Sequence, residues 1–104
     1  MEKFGLYGRF LVHKDDRDEL SSILLDAAEA MGQVDGCEIY QVSVSHEEPQ
    51  AVYVYEVWKD EAAHQASLAL DATQTLIRRA KPLITGMERI NTLQTLGGKG
   101  LPTT

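Results

Sequence analysis

Six side chains in this sequence are of types that carry out acid–base chemistry or bind oxygen-containing ligands. Glu56 stands in an otherwise apolar segment, where a carboxylate acts either as a general base with a raised pKa or as the buried ion-pair partner of Arg9 or Arg89. His64 can accept a proton because the unperturbed pKa of imidazole, about 6.5, lies near neutrality. Trp58 can form the aromatic wall of a pocket or anchor the core. The other three could hydrogen-bond a ligand oxygen, and they are Tyr7, Tyr40 and Asn91.

Two hydrophobic periodicities define the elements that must position these side chains. Apolar residues at spacings of three and four predict a helix over 18–31, and a second helix from 61 to about 81 with a bend near Asp71. Asp60 stands at the expected cap of that second helix. Four segments have the alternation or β-branched and aromatic content of strands, and they are residues 4–13, 37–45, 51–58 and 87–96.

The order strand, helix, strand, strand, broken helix, strand predicts an α+β fold of the ferredoxin-like split βαβ type. Such a fold has a four-stranded antiparallel sheet with its helices on one face. We expect one domain over residues 1–96 and a flexible C-terminal tail over 97–104, which is rich in glycine and has little to order it.

Composition narrows the possible partners and the location. Ten Lys and Arg against sixteen Asp and Glu give a net charge of −6, which disfavours binding to nucleic acid. A single cysteine, Cys37, allows neither an intrachain disulfide nor a cysteine-based metal cluster. The N-terminus lacks the apolar run of a signal peptide, and no stretch approaches the roughly 20 apolar residues of a membrane span. These features predict a cytoplasmic protein with no membrane association.

The strands carry large side chains on both faces, although the helices can cover only one. An exposed sheet face of that kind is an unusually large apolar patch for a monomer, so we expect a homodimer with two sheets packed face to face. The tyrosines of the first and third strands are candidates for this interface. The alternation on the third strand places Val52, Val54 and Trp58 on one face and Tyr53, Tyr55 and Val57 on the other.

The chain resembles the antibiotic biosynthesis monooxygenase domain over roughly residues 5–96. The resemblance is carried by three runs: GRFLVHKDDRDEL at 8–20, AAEAMGQVDGCEIYQV at 27–42 and YVYEVWKDEAAHQAS at 53–67. Its most specific part is the aromatic strand ending in Glu-x-Trp-x-Asp, here Glu56, Trp58 and Asp60. Members of this family are typically dimeric α/β barrels, which agrees with the dimer inferred from the two-sided strands.

The family includes haem-degrading members, but this sequence resembles them poorly. Those members use an Asn on the first strand, a Trp at the end of the third and an iron-binding His on the following helix. Only Trp58 matches, because Gly8 stands at or near the Asn position and Ser67 or Leu68 near the His position. His64 comes one helical turn too early, so we predict no metal site.

The resemblance therefore implies a cofactor-independent monooxygenase that oxidises a small aromatic or quinol-type substrate with O₂. In this hypothesis His64 and Trp58 are the catalytic residues, and Tyr7, Tyr40, Glu56 and Asn91 contact the substrate. Two alternatives stay open: a non-catalytic dimeric domain that binds a small molecule, and an isomerase of a small oxygenated metabolite in which His64 and Glu56 shuttle protons. Fold alone does not choose among them.

Overall fold

The computed structural model describes residues 2–101, in which four strands and three helices follow one another in the predicted order. The predicted bend is a break between two helices, the second of which begins at Asp71. A short 3₁₀ turn at Lys14–Asp16 precedes the first helix. The elements are β1 (Lys3–Val12), α1 (Arg17–Met31), β2 (Cys37–Ser45), β3 (Glu48–Trp58), α2 (Glu61–Ser67), α3 (Asp71–Ala80) and β4 (Ile84–Thr95).

The strands form one antiparallel sheet in the order β2-β3-β1-β4. This order, with helices packed on one face, confirms the ferredoxin-like α+β fold. The core lies between α1 and the middle of the sheet, where Leu20 and Leu24 are fully buried against Val52. Burying apolar side chains of this size stabilises the fold by about 1.5–3 kcal/mol each.

Strand alternation gives the sheet two different faces. The pairs Phe10–Val52 and Leu6–Glu56 lie on the face that carries the helices, which we call the helix-side face. The pairs Arg9–Tyr53 and Tyr7–Tyr55 lie on the opposite face, which we call the open face. Any candidate site residue on a strand therefore belongs to one face or the other.

A β-bulge in β4 changes which side chains share a face. Gly8 pairs with Arg89 and Tyr7 pairs with Asn91, so Ile90 is an extra residue without a partner on β1. Because one additional residue reverses the alternation, Arg89 lies on the helix-side face and Asn91 on the open face.

The C-terminal segment folds back beside the open face. A groove there is lined by Ile39 and Gln41 of β2, Tyr55 of β3, and Gly97, Lys99, Gly100 and Leu101 of this segment. The division into a domain over 1–96 and a flexible tail over 97–104 stays a prediction, and Met1 and residues 102–104 lie outside the described residues. Within residues 2–101, no helix is long and apolar enough to cross a bilayer.

Candidate active site

A cleft of about 90 Å³ lies on the helix-side face, between the strands that carry the candidate residues. Its floor is the backbone of β1 around Gly8, and one end is formed by the carboxyl group of Glu56. Among the residues that line the cleft, Arg89 of β4 is the second one whose charged side chain lies on the helix-side face. The apolar side chains of the wall are those of Leu6, Phe10, Val54 and Met87. Tyr7, Arg9 and Glu88 also border the cleft, but their side chains alternate to the open face.

Glu56 is held in place by its neighbour on the same face of β3. The indole Nε1 of Trp58 donates a hydrogen bond of 2.9 Å to Oε1 of Glu56. Trp58 is only 1% exposed, so its ring is locked by packing and the direction of its N–H is fixed. One carboxylate oxygen is thereby engaged by Trp58, and the group borders the cleft.

The surroundings of Glu56 act on its pKa in both directions. Burial disfavours the charged carboxylate and raises its pKa above the ordinary value, and this is the largest effect. The hydrogen bond from Trp58 and the nearby positive charges of His64 and Arg89 lower the pKa and offset part of the increase. A carboxylate with a raised pKa is a stronger base than one in water, which suits proton abstraction near neutrality.

His64 lies behind Glu56 rather than in the wall of the cleft. Its imidazole ring contacts Trp58 edge-on at 5.7 Å and Phe4 at 5.4 Å, both measured between ring centroids. Nδ1 of His64 is buried and has no hydrogen-bond partner among the described residues. Within residues 2–101, no group of three His, Cys, Asp or Glu side chains is arranged to hold a metal ion.

The start of α2 sets the position of His64. Asp60 caps this helix as predicted, because its Oδ1 accepts a hydrogen bond of 2.7 Å from the backbone N–H of Ala63. An N-cap of this kind stabilises a helix by about 0.5–2 kcal/mol. The Glu-x-Trp-x-Asp run thus serves three purposes: Glu56 faces the cleft, Trp58 orients it, and Asp60 begins the helix that carries His64.

Tyr40 lies opposite Glu56 on β2, on the same face of the sheet. Burial, together with the negative charge of Glu56, raises the pKa of the Tyr40 hydroxyl, so it stays protonated. Burial likewise raises the pKa of Cys37 to about 11, with Glu56 and Glu38 adding to the effect. A thiol with a raised pKa is a poor source of the nucleophilic thiolate.

The six predicted site residues do not form a single cluster. Trp58, His64, Tyr40 and Glu56 come together on the helix-side face, whereas the side chains of Tyr7 and Asn91 lie on the open face. Tyr7 is among the residues that line the cleft, although its side chain alternates to the open face, and Asn91 is not. That these two residues contact a substrate stays a prediction. Tyr7 follows Leu6 directly in β1, so its side chain lies on the opposite face of the sheet. The bulge at Ile90 turns the side chain of Asn91 away from the cleft.

The expected ion pair of Glu56 with Arg9 is wrong. Arg9 lies on the open face, where it pairs with Glu48 and Glu88 and contacts the hydroxyl of Tyr53. Similarly, Trp58 and His64 do not line the cleft, although the sequence predicted an aromatic wall. Arg9 and Glu56 lie on opposite faces because side chains alternate along each strand. The period-two pattern of the sequence was therefore the signal that could have excluded this ion pair.

Comparison with known proteins identifies the family. A family model described as antibiotic biosynthesis monooxygenase matches residues 4–79. The chain belongs to this family. The matched range contains Glu56, Trp58 and His64, but it ends before β4 and therefore before Arg89. No protein with a curated description matches the chain.

Solved structures agree with this membership in the antibiotic biosynthesis monooxygenase family. A candidate antibiotic biosynthesis monooxygenase from Chloroflexus aurantiacus J-10-fl is 32% identical, covers 96% of this chain and 99% of its own, and superposes with a TM-score of 0.87. A candidate member from Deinococcus radiodurans is 24% identical, with coverage of 91% and 94% and a TM-score of 0.79. A Bacteroides thetaiotaomicron protein of unknown function, described as a possible oxidoreductase, is 13% identical, with coverage of 90% and 98% and a TM-score of 0.82. The last two show a shared fold.

Proposed function

We propose that this protein is a monooxygenase that oxidises a small aromatic or quinol-type substrate with O₂, and that Glu56 is its general base. The observation that carries this proposal is a partly buried carboxylate at the end of an apolar cleft, oriented by the indole N–H of Trp58. In this proposal Trp58 is a positioning residue that acts through Glu56. His64 packs against Trp58 behind the carboxylate.

The reaction begins with proton transfer from the substrate to Glu56. The resulting anion gives one electron to O₂, and the radical pair combines to form a carbon–oxygen bond, which leaves a peroxide anion on the substrate. Protonated Glu56 returns its proton to that peroxide. Cleavage of the O–O bond with loss of the hydrogen on the same ring carbon then gives a carbonyl and water, so that a hydroquinone, C₆H₆O₂, and O₂ become a hydroxyquinone, C₆H₄O₃, and H₂O.

The walls of the cleft suit the first step of this reaction. Apolar side chains keep water from the anion, so a charge that develops there interacts strongly with Arg89. Since the substrate anion supplies the electrons, the proposed reaction uses no cofactor. Membership in the antibiotic biosynthesis monooxygenase family supports the same chemistry.

Oxygen consumption tests the proposed function directly. We expect the protein to accelerate O₂ uptake, in an oxygen electrode, with at least one compound from a panel of single-ring hydroquinones. Mass spectrometry should find one oxygen atom from ¹⁸O₂ in the product, as the stoichiometry requires. Uptake no faster than in buffer across the whole panel would remove the oxygenase proposal and favour a binding domain or an isomerase.

We further propose that the active protein is a homodimer joined through the open faces of two sheets. This face carries the rings of Tyr7 and Tyr53, which stack with centroids 6.2 Å apart, and the partly exposed Leu93, the cross-strand partner of Gly5. A second copy would cover these aromatic and apolar groups and complete the thin core of a small domain. The cytoplasmic location stays a prediction of the sequence.

Sedimentation tests the dimer. We expect twice the mass of one chain at micromolar concentration, and a shift toward the monomer in Tyr7→Asp, because the new carboxylate would be desolvated between the two sheets. Leu25→Asp is the matched control, since Leu25 is 55% exposed on α1, away from the open face. A wild-type protein that sediments as a monomer rules out the face-to-face arrangement.

A further inference from the structure

The cleft exists because β1 has no side chain at one position. Leu6, Gly8 and Phe10 occupy successive positions on the helix-side face, and both large residues line the cleft on either side of Gly8. Only glycine fits here, since a Cβ atom at this position would lie 2.8 Å from the backbone oxygen of Glu88. The close approach of β4 beside its bulge therefore enforces an empty position in the floor.

The cross-strand neighbours of Gly8 define what borders that empty position. Val54 pairs with Gly8 from β3 and Arg89 pairs with it from β4. Cross-strand partners have Cβ atoms about 4.5–5.5 Å apart, so Arg89 begins directly beside the floor of the cleft. Glu56 and Arg89 both line the cleft, so their charges act on the same volume.

The volume sets a limit on the size of a ligand. At about 90 Å³ the cleft is far larger than the space one water needs, about 10–15 Å³. It is smaller than a cavity of about 150 Å³, which accommodates benzene. A single ring therefore fits only with its edge at the open mouth, beside the 69% exposed side chain of Met87, and two fused rings do not fit.

We propose that Arg89 and the empty position at Gly8 determine the specificity of the cleft, which accepts single-ring compounds with an ionisable hydroxyl and binds the ionised oxygen at the guanidinium of Arg89. This inference rests on the proposed function, because Glu56 is the group that takes the proton. The proton passes from the hydroxyl to the carboxylate and the negative charge passes to the ligand oxygen, so the net charge of the site is unchanged. The guanidinium provides the charge-assisted hydrogen bonds that make the transfer favourable.

Binding of 4-nitrophenol tests the charge selectivity, with quenching of the fluorescence of Trp58, the only tryptophan, as the signal. We expect 4-nitroanisole, which has the same ring but no ionisable hydroxyl, to bind at least about tenfold more weakly. Arg89→Gln should weaken 4-nitrophenol binding by about tenfold or more and leave 4-nitroanisole unchanged, whereas Arg89→Lys should keep part of the affinity. Arg78→Gln, on the exposed side of α3, is the control and should match wild type.

Equal affinity for the two nitro compounds, or unchanged 4-nitrophenol binding in Arg89→Gln, would overturn the role of Arg89.

Size selectivity has a separate test: wild type should reject 4-nitro-1-naphthol, and Met87→Ala should gain at least about fivefold in affinity for it, a gain that a misfolded protein cannot produce. Leu25→Ala is the control for loss of an exposed side chain. Wild-type protein that binds the naphthol as tightly as the phenol would overturn the size limit. Because 4-nitrophenol is bound without being oxidised, selective binding without O₂ uptake would refute the oxygenase proposal alone.

Discussion

Glu56→Gln is expected to lower kcat for oxygen uptake by about 10²- to 10⁴-fold, the usual contribution of a general base. The amide has nearly the shape of the carboxyl group and its oxygen can still accept the hydrogen bond from Trp58, so the cleft should keep its geometry. What is lost is the ability to take a proton from the substrate. Steady-state kinetics in an oxygen electrode, with the best compound of the panel, measures the effect.

The stability of this variant should not fall at neutral pH. Burial raises the pKa of Glu56, so the folded state holds this proton more tightly than the unfolded state does. The stabilisation from the protonated carboxyl is complete below the unfolded pKa and is lost as pH rises through the folded pKa. Glutamine does not ionise, so the variant does not lose this stabilisation as pH rises. Urea unfolding near neutral pH should therefore give a free energy of unfolding at least equal to that of wild type.

Glu29→Gln, an exposed glutamate on α1, is the matched control and should keep wild-type kinetics. If Glu56→Gln retains activity within about threefold of wild type while Glu29→Gln does the same, Glu56 is not the base. Attention would then move to His64, which packs against Trp58 and whose Nδ1 is buried without a hydrogen-bond partner among the described residues.

Trp58→Phe is expected to move the acid limb of the pH profile of kcat/KM to higher pH. The base must be ionised to act, and the indole N–H lowers the pKa of Glu56 by favouring the ionised form. Without that hydrogen bond the pKa rises further. At pH values below the plateau, activity should fall by about tenfold or more, whereas the plateau at high pH should change little.

A shift of the acid limb distinguishes a positioning role of Trp58 from a general loss of packing in the core. Lost packing lowers activity at all pH values, and Trp58 is buried enough for substitution to cost stability as well. Tyr40→Phe is the control, because Tyr40 lies opposite Glu56 but gives it no hydrogen bond among the described residues. Its acid limb should coincide with that of wild type. A Trp58→Phe profile that is lowered uniformly, with an unshifted limb, would mean that Trp58 does not act through Glu56.

The fold was predictable because local patterns and global packing agree. Alternation in the third strand and the spacing of apolar residues in α1 each indicated the correct element, and the cap at Asp60 was correct as well. Large side chains on both faces of β1 and β3 also drew attention to the face of the sheet that the helices do not cover. The start of β4 was missed by three residues, since Ile84 and its neighbours follow Pro82 and resemble the end of a helix.

The candidate site was predictable only in part. Glu56, Trp58 and His64 could be selected from the sequence because they lie within nine residues of one another on a strand and the helix after it. The partners on β4 could not, because a bulge is a property of strand pairing and has no signature in the run MERINTLQTL. A regular strand would place Asn91 in the pocket as its polar group. The sequence indicates Arg89 only as an ion-pair partner for Glu56.

The bulge at Ile90 makes β4 two half-strands of opposite phase. Before it, the odd-numbered Met87 and Arg89 lie on the helix-side face, and after it the odd-numbered Asn91 and Leu93 lie on the open face. Mutational libraries built on the two halves would therefore be independent. Randomising positions 87 and 89 would explore new substrates, and randomising positions 91 and 93 would explore new quaternary contacts.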